Sequence, residues 1–365
     1  MTLSLYFARR FLAMFALVFT IFLGILWLIE TIEVLRKYAS TGIAMTDALF
    51  LAVLTTPESL YRILPLLMML SSVALFLNLA RTSELVVVRA AGRSGLAFLV
   101  APLVTALLIG VFAVAVFNPL VAASTKRHAQ LTSNLSVSGG NSLSITADGI
   151  WMRQANEAGQ SIIKAGKSSP DGTVLTEISI LSFGQDGAMT SRIEAATATL
   201  DVGAWRLAGA KTWDLQSQNP ERSAQVALTN IDFPTDLTPE RIRDGLGSAN
   251  AISVWQLPAF IADLEKAGFS SRTQQVWLQM ELALPLILSA MVLIAAGFTM
   301  RHARSGKTGT MIMFALMGGF FIFFLRNFAQ VLGESGQIPL ILAAWSAPVA
   351  AIMLALALLL HMEDG

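Results

Sequence analysis

Six apolar runs flank one long polar block, three on each side, near residues 11–29, 63–80, 96–117, 276–300, 310–332 and 338–360. Each is about 18 to 25 residues long, enough to cross a ~30 Å hydrocarbon core as a helix. The block between them, 118–272, is mostly polar. This layout predicts six transmembrane helices with one sizeable domain outside the lipid, inserted between helices 3 and 4. Composition agrees. Apolar residues make up 55% of the chain and charged residues 13%, against about 25% charged in soluble domains.

The first run could pass for a signal peptide, because Arg9 and Arg10 precede it. It is too long for a secretory h-region and no small-x-small cleavage site follows, so it reads as a retained span. A net charge of +1 predicts no nucleic-acid partner. The chain has no cysteine, which excludes disulfides, thiolate metal sites and cysteine nucleophiles. His128, His302 and His361 are too few and too dispersed for a histidine metal cluster, so no metal site is expected.

Basic residues set the orientation, because they concentrate in cytoplasmic loops. Arg9 and Arg10 precede span one, Arg81, Arg89 and Arg93 follow span two, and Arg301, Arg304 and Lys307 follow span four. Six helices with both termini cytoplasmic place all of these on one face. The polar block then lies on the other face, periplasmic in a double-membrane bacterium.

The polar block reads as β-structure. Asp148-Gly149, the triplet 170–172 (Pro-Asp-Gly) and Asp186-Gly187 are turn signatures. Val174, Thr176, Ile178 and Ile180 share one parity, and Trp205, Leu207, Trp213 and Leu215 share another. Period-two patterning between turns predicts an antiparallel sheet or sandwich. Its apolar lining has two readings, an ordinary core or a trough for an acyl chain. Residues 254–268 then form a short amphipathic helix between domain and membrane, with Pro258 in its first turn and Gly268 at its C-cap. The resulting organisation is helices 1–3 over 1–118, a β-domain over 119–253, a connector helix over 254–272 and helices 4–6 over 273–365.

The sharpest local signal is the loop helix at 83–92. Thr82 or Ser83 can cap it, Glu84 complements its dipole and Gly92 can end it. Glu84, Val87, Val88 and Ala91 share a face by their i, i+3, i+4, i+7 spacing. Such a helix either docks into a groove on a cytoplasmic partner or lies on lipid headgroups, with Arg89 and Arg93 touching phosphates. The tetrad 305–308 (Ser-Gly-Lys-Thr) resembles a phosphate-binding loop, but the required upstream glycine is Arg301. It reads as a solvated basic loop, so any ATP is used elsewhere.

Charges at span ends need a partner or a task. Glu33 and Lys37, and Glu58 and Arg62, have pairing i, i+4 spacing. Glu281 lies inside span four and Arg326 near the outer end of span five. Arg36, Lys37 and Arg326 fall at matching depth by the topology. They form either ordinary interfacial pairs or a cationic rim for an anionic headgroup. No pair of carboxylates and no nucleophile–base set stands out, so no catalytic residue is assigned.

Three stretches carry a resemblance to a known family. They are 6–12 (Tyr-Phe-Ala-Arg-Arg-Phe-Leu) with 30–38, then 65–78 with 83–92 (Ser-Glu-Leu-Val-Val-Val-Arg-Ala-Ala-Gly), and 254–268 with Glu281 and Pro285. The chain resembles the lipopolysaccharide-export permeases of the LptF/LptG type over essentially its whole length, and its N-terminal region is more similar to the LptG branch. The coupling-helix match at 83–92 is the most specific. The resemblance implies a heterodimer with a paralogous permease, enclosing a lipid-sized cavity in the bacterial inner membrane. It implies a separate cytoplasmic ABC ATPase dimer on the coupling helices, with Glu84, Arg89 and Gly92 at matching positions. ATP-driven closure would lift lipopolysaccharide out of the outer leaflet. The β-domain, a partly open jelly roll, would lie under a bridge of similar periplasmic domains. Arg36 and Lys37 would face lipid A phosphates, with Arg326 added on depth alone. No cofactor is implied for the chain itself. Lipoprotein-release and mechanotransmission permeases are the nearest rivals, but they place the external domain after the first span. A receptor or scaffold would need a cytoplasmic effector domain, and residues 361–365 are too short for one.

Overall fold

The computed structural model describes residues 2–39, 43–82, 84, 95–135, 142–146, 149–156, 159–184, 187–217, 219, 224–226, 230–238, 242, 251–299 and 308–363. Among the described residues four long helices come first: α1 (Thr2–Lys37), α2 (Met45–Arg81), α3 (Gly95–Phe112) and α4 (Asn118–Leu135). Ten strands follow: β1 (Ser142–Thr146), β2 (Gly149–Asn156), β3 (Gly159–Ala165), β4 (Lys167–Ser168), β5 (Val174–Phe183), β6 (Met189–Asp201), β7 (Ala204–Ala208), β8 (Lys211–Asp214), β9 (Gln225–Val226) and β10 (Ile231–Pro234). The chain closes with α5 (Leu257–Lys266), α6 (Arg272–Thr299), α7 (Thr308–Glu334) and α8 (Leu340–Glu363). Two compact units result. One holds residues 1–128, 252–255 and 275–365, the other 129–251 and 256–274.

Among the described residues of the helical unit, six helices are long and apolar enough to cross a membrane. The unit's core gathers Met68, Leu75 and Phe76 of α2 and Leu288, Met291 and Val292 of α6 into one cluster. Of their most apolar stretches, 61% and 78% are buried, against none for α1, which packs along α2 with one side open. A Cβ added at Gly110 would stand 2.5 Å from Pro285 Cα, so glycine lets α3 and α6 touch backbone to backbone.

The third span does not stop near Phe117. It passes through a π-helical turn, Ala113–Phe117, and continues as α4 to Leu135. Pro119 accounts for the turn. A proline inside a helix lacks an N–H and crowds the carbonyl four residues back, here Ala115. The chain widens by one residue, and Ala115 O accepts instead from the indole N–H of Trp255 at 3.2 Å. Nothing later in 118–135 breaks a helix, so polarity alone places the boundary too early.

The second unit is one antiparallel sheet in the order β1-β2-β3-β5-β6-β7-β10, with β4 on β5 and β8 between β6 and β9. A single sheet must curl to bury one face, and this one does. Gln154 on β2 donates from Nε2 to Pro234 O of β10 at 3.0 Å and accepts from the Thr235 hydroxyl at 2.7 Å. The enclosed face holds Ile150, Met152, Ile163, Leu175, Ile180, Trp205 and Leu207. Trp213 is only half-buried, flanked by Arg192 and Lys211 over its ring. The alternation expected along β5 breaks at Glu177, which has φ +55°. Leu175 therefore shares the buried face with Ile178 and Ile180, while Val174 turns outward. One left-handed residue shifts the parity without shifting the register.

Helix α5 belongs to this unit. Leu264, with Ala267 and Phe269 just beyond the helix, enters the sheet's core. Gly268, at φ +88°, ends the helix in a Schellman motif: Phe269 N–H donates to Leu264 O at 3.0 Å and Gly268 N–H to Glu265 O at 3.1 Å. A Cβ there would meet Ser168 O at 2.2 Å, so glycine is required twice over.

Candidate functional site

Polar side chains gather at three levels of the helical unit. The first lies where α1 begins and α2 ends. The Arg10 guanidinium donates to both Glu84 oxygens, at 2.5 and 2.7 Å. It also donates to Asn78 Oδ1 and to the Tyr6 hydroxyl, each at 2.8 Å. Glu84 accepts further from the Thr82 hydroxyl at 3.0 Å. Burial disfavours the ionised carboxyl, but hydrogen bonds from Arg10, Thr82 and Tyr6 outweigh it and hold Glu84 below the usual glutamate range. This charge-assisted clamp ties α1 to the first residues of the loop after α2. The sequence offered both halves, yet Arg10 read as an orientation charge and Glu84 as a helix-dipole partner. The Thr82 N–H and hydroxyl both donate to Asn78 O and close α2. Val87, Val88, Arg89, Ala91 and Gly92 lie outside the described residues, as does the basic loop 301–307.

The second level is the far end of α1. Arg36 and Lys37 occupy the helix's last turn and are exposed. Lys37 sits 5.6 Å over the Tyr38 ring, and among the described residues it forms no ion pair with Glu33. The Glu58–Arg62 pair does form, at 3.1 Å. Glu30 accepts from the Ser59 hydroxyl at 2.6 Å, fastening α1 to α2. Because α1 is one unbroken helix of 36 residues, about 54 Å long at 1.5 Å per residue, Arg10 and the Arg36–Lys37 pair are carried on a single rod.

The third level is intramembrane. Glu281 of α6 is 2% exposed and accepts a hydrogen bond from the Tyr61 hydroxyl of α2, itself 7% exposed. The Asn118 amide hydrogen-bonds to both, and its Oδ1 accepts from Val254 N–H at 2.8 Å. Arg326 of α7 acts on Glu281 through space, and among the described residues the two form no ion pair. Arg326 lies about two turns inside the end of α7, whereas Arg36 and Lys37 stand at the end of α1. Arg326 lies close enough to Glu281 and Tyr61 to act on both electrostatically. Sequence reasoning marked Glu281 but missed Tyr61 and Asn118; the available signal was the cost of an apolar-span carboxyl without a neighbour.

The family model for "Lipopolysaccharide export system permease LptF/LptG" matches residues 5–361. The chain belongs to this family. The match takes in both helical halves, the intervening sheet, the Arg10–Glu84 clamp and the Tyr61–Glu281 pair. Relatives include the lipopolysaccharide export system permease protein LptG of Haemophilus influenzae, 24% identical over 340 residues, covering 92% of this chain and 91% of that one. The LptG protein of Escherichia coli K12 is 24% identical over 319 residues, covering 87% and 86%. An LptF/LptG-family permease is a transporter subunit, and its many apolar helices make this chain a multi-pass membrane protein.

Proposed function

We propose that this chain is an LptG-type permease subunit that lifts lipopolysaccharide out of the bacterial inner membrane toward a periplasmic bridge of β-jelly-roll proteins. It pairs with a paralogous permease and takes its energy from a separate cytoplasmic ABC ATPase dimer. The carrying observation is the family match across 5–361, supported by full-length relatives named LptG. In this reading both termini are cytoplasmic, the β unit is periplasmic, and the chain holds neither ATP nor a catalytic group. The ATPase docks on segment 83–92. Displacement of that segment pulls Glu84, Glu84 pulls Arg10, and the rigid α1 carries the motion to Arg36 and Lys37. Those cations meet the phosphates of the cargo's headgroup.

Co-purification tests the docking step. Glu84→Lys breaks both the clamp and the docking face, whereas Arg10→Glu with Glu84→Arg restores the clamp with reversed sign. We expect the single variant to lose the ATPase and the swap not to regain it. Undiminished ATPase on Glu84→Lys, or full recovery in the swap, would overturn the docking role of Glu84.

A further inference from the structure

Between α1, α2 and the third span lies a groove of about 520 Å³. Phe15 and Phe19 of α1, Leu64 of α2, and Phe112 and Phe117 of the third span line it. Its one polar wall residue, Thr105, spends its hydroxyl on Ala101 O at 2.8 Å. We propose that this groove holds one acyl chain of a bilayer phospholipid, bound within a single copy of the chain.

Shape and chemistry select that occupant. Thr105 to Phe117 spans about 18 Å at 1.5 Å per residue, so the groove runs along the helix and parallel to bilayer chains. Spreading 520 Å³ over that length leaves a mean cross-section of about 29 Å², a bore of roughly 6 Å. A helix with side chains is about 10–12 Å across, so a partner's span does not fit, while an unbranched chain does. Water is excluded because nothing in the lining remains to bond it, and an empty void would forfeit dispersion contacts along every wall. Cargo is disfavoured by charge. The lining holds no cation, the neighbouring Arg10 is engaged by Glu84 and Asn78, and Arg36 lies 17 residues beyond Phe19 on α1, about 26 Å away. The site therefore recognises hydrocarbon and ignores the headgroup, which favours the abundant phospholipid over an anionic glycolipid. A seated chain completes the packing of α1, whose apolar stretch the protein itself leaves unburied.

The test uses the full chain in phosphatidylethanolamine–phosphatidylglycerol vesicles carrying a diazirine on one acyl chain, irradiated and mapped by mass spectrometry. Label should concentrate on Phe15, Phe19 and Phe117, above its level on the outward-facing Phe321 and Phe324 of α7. Ala16→Phe and Thr105→Leu fill the groove from opposite walls. Each should cut groove label about tenfold, the change an overpacking penalty of usual size implies, and leave Phe321 and Phe324 unaltered. Groove label no higher than at α7, or unchanged in both variants, would overturn the proposal. So would displacement by added lipopolysaccharide, which would make the groove a cargo site, or loss of label on co-reconstitution with a paralogous permease. Neither ATPase nor transport is needed, so the export reading stands or falls separately.

Discussion

Replacing Tyr61 by phenylalanine removes one hydroxyl from a site where little can compensate. Tyr61 is 7% exposed and Glu281 2%, so water does not take the vacated position. A hydrogen bond to a charged group is worth about 1.5–3 kcal/mol in soluble proteins. Pairs between membrane helices average about 0.6 kcal/mol and reach about 1.7, because the unfolded chain in lipid also finds partners. Glu281 belongs at the upper end of that range, since its acceptor is a carboxyl and its remaining hydrogen-bond partner, Asn118, comes from another helix. Tyr61→Phe should therefore cost about 1.5 kcal/mol. Glu281→Leu should cost at least as much, up to about 3 kcal/mol, because it leaves the buried Tyr61 hydroxyl without its acceptor. The double variant should be little worse than Glu281→Leu alone, giving a coupling of about 1–2 kcal/mol. Reversible unfolding in mixed micelles, followed by circular dichroism, measures all three. Additive costs, or a Tyr61→Phe penalty below about 0.3 kcal/mol, the usual limit of additivity, would refute the intramembrane pair as a structural tie.

Arg36→Gln with Lys37→Gln should lower lipopolysaccharide retention in detergent roughly thirtyfold, from about 1 kcal/mol per basic residue near an anionic surface; retention equal to the parent chain would remove the rim from the mechanism. Gln154→Leu should loosen the curled sheet by about 1–3 kcal/mol, because it strands Pro234 O and the Thr235 hydroxyl, and hydrogen exchange in β10 would register it. The Arg10–Glu84 clamp should respond to acid in one direction. The Glu84 carboxyl is held below its ordinary value of about 4.3, so the clamp's contribution is complete above that value and is lost as pH falls through the depressed one. Exchange at Thr82 should rise in strong acid, and the Glu84→Gln chain should show no such pH step.

Much of the architecture was legible because it is local. Span length reports membrane thickness, and Pro258 and Gly268 bracket α5 through backbone constraints that act within a few residues. Pro119 was equally readable, but its consequence was not. The freed Ala115 carbonyl is met by Trp255, 140 residues away. The site groups divide the same way. A carboxyl in an apolar span declares from sequence alone that it needs a partner, because lipid makes it costly. Which partner it finds depends on helix packing: Tyr61 stands 220 residues from Glu281, and Arg10 stands 74 from Glu84. Sequence therefore determined the six spans, the β insertion, the family, and the positions where charge had to be answered. Tertiary structure alone decided the answers, because side chains so far apart in sequence meet only after the helices have packed and the sheet has curled.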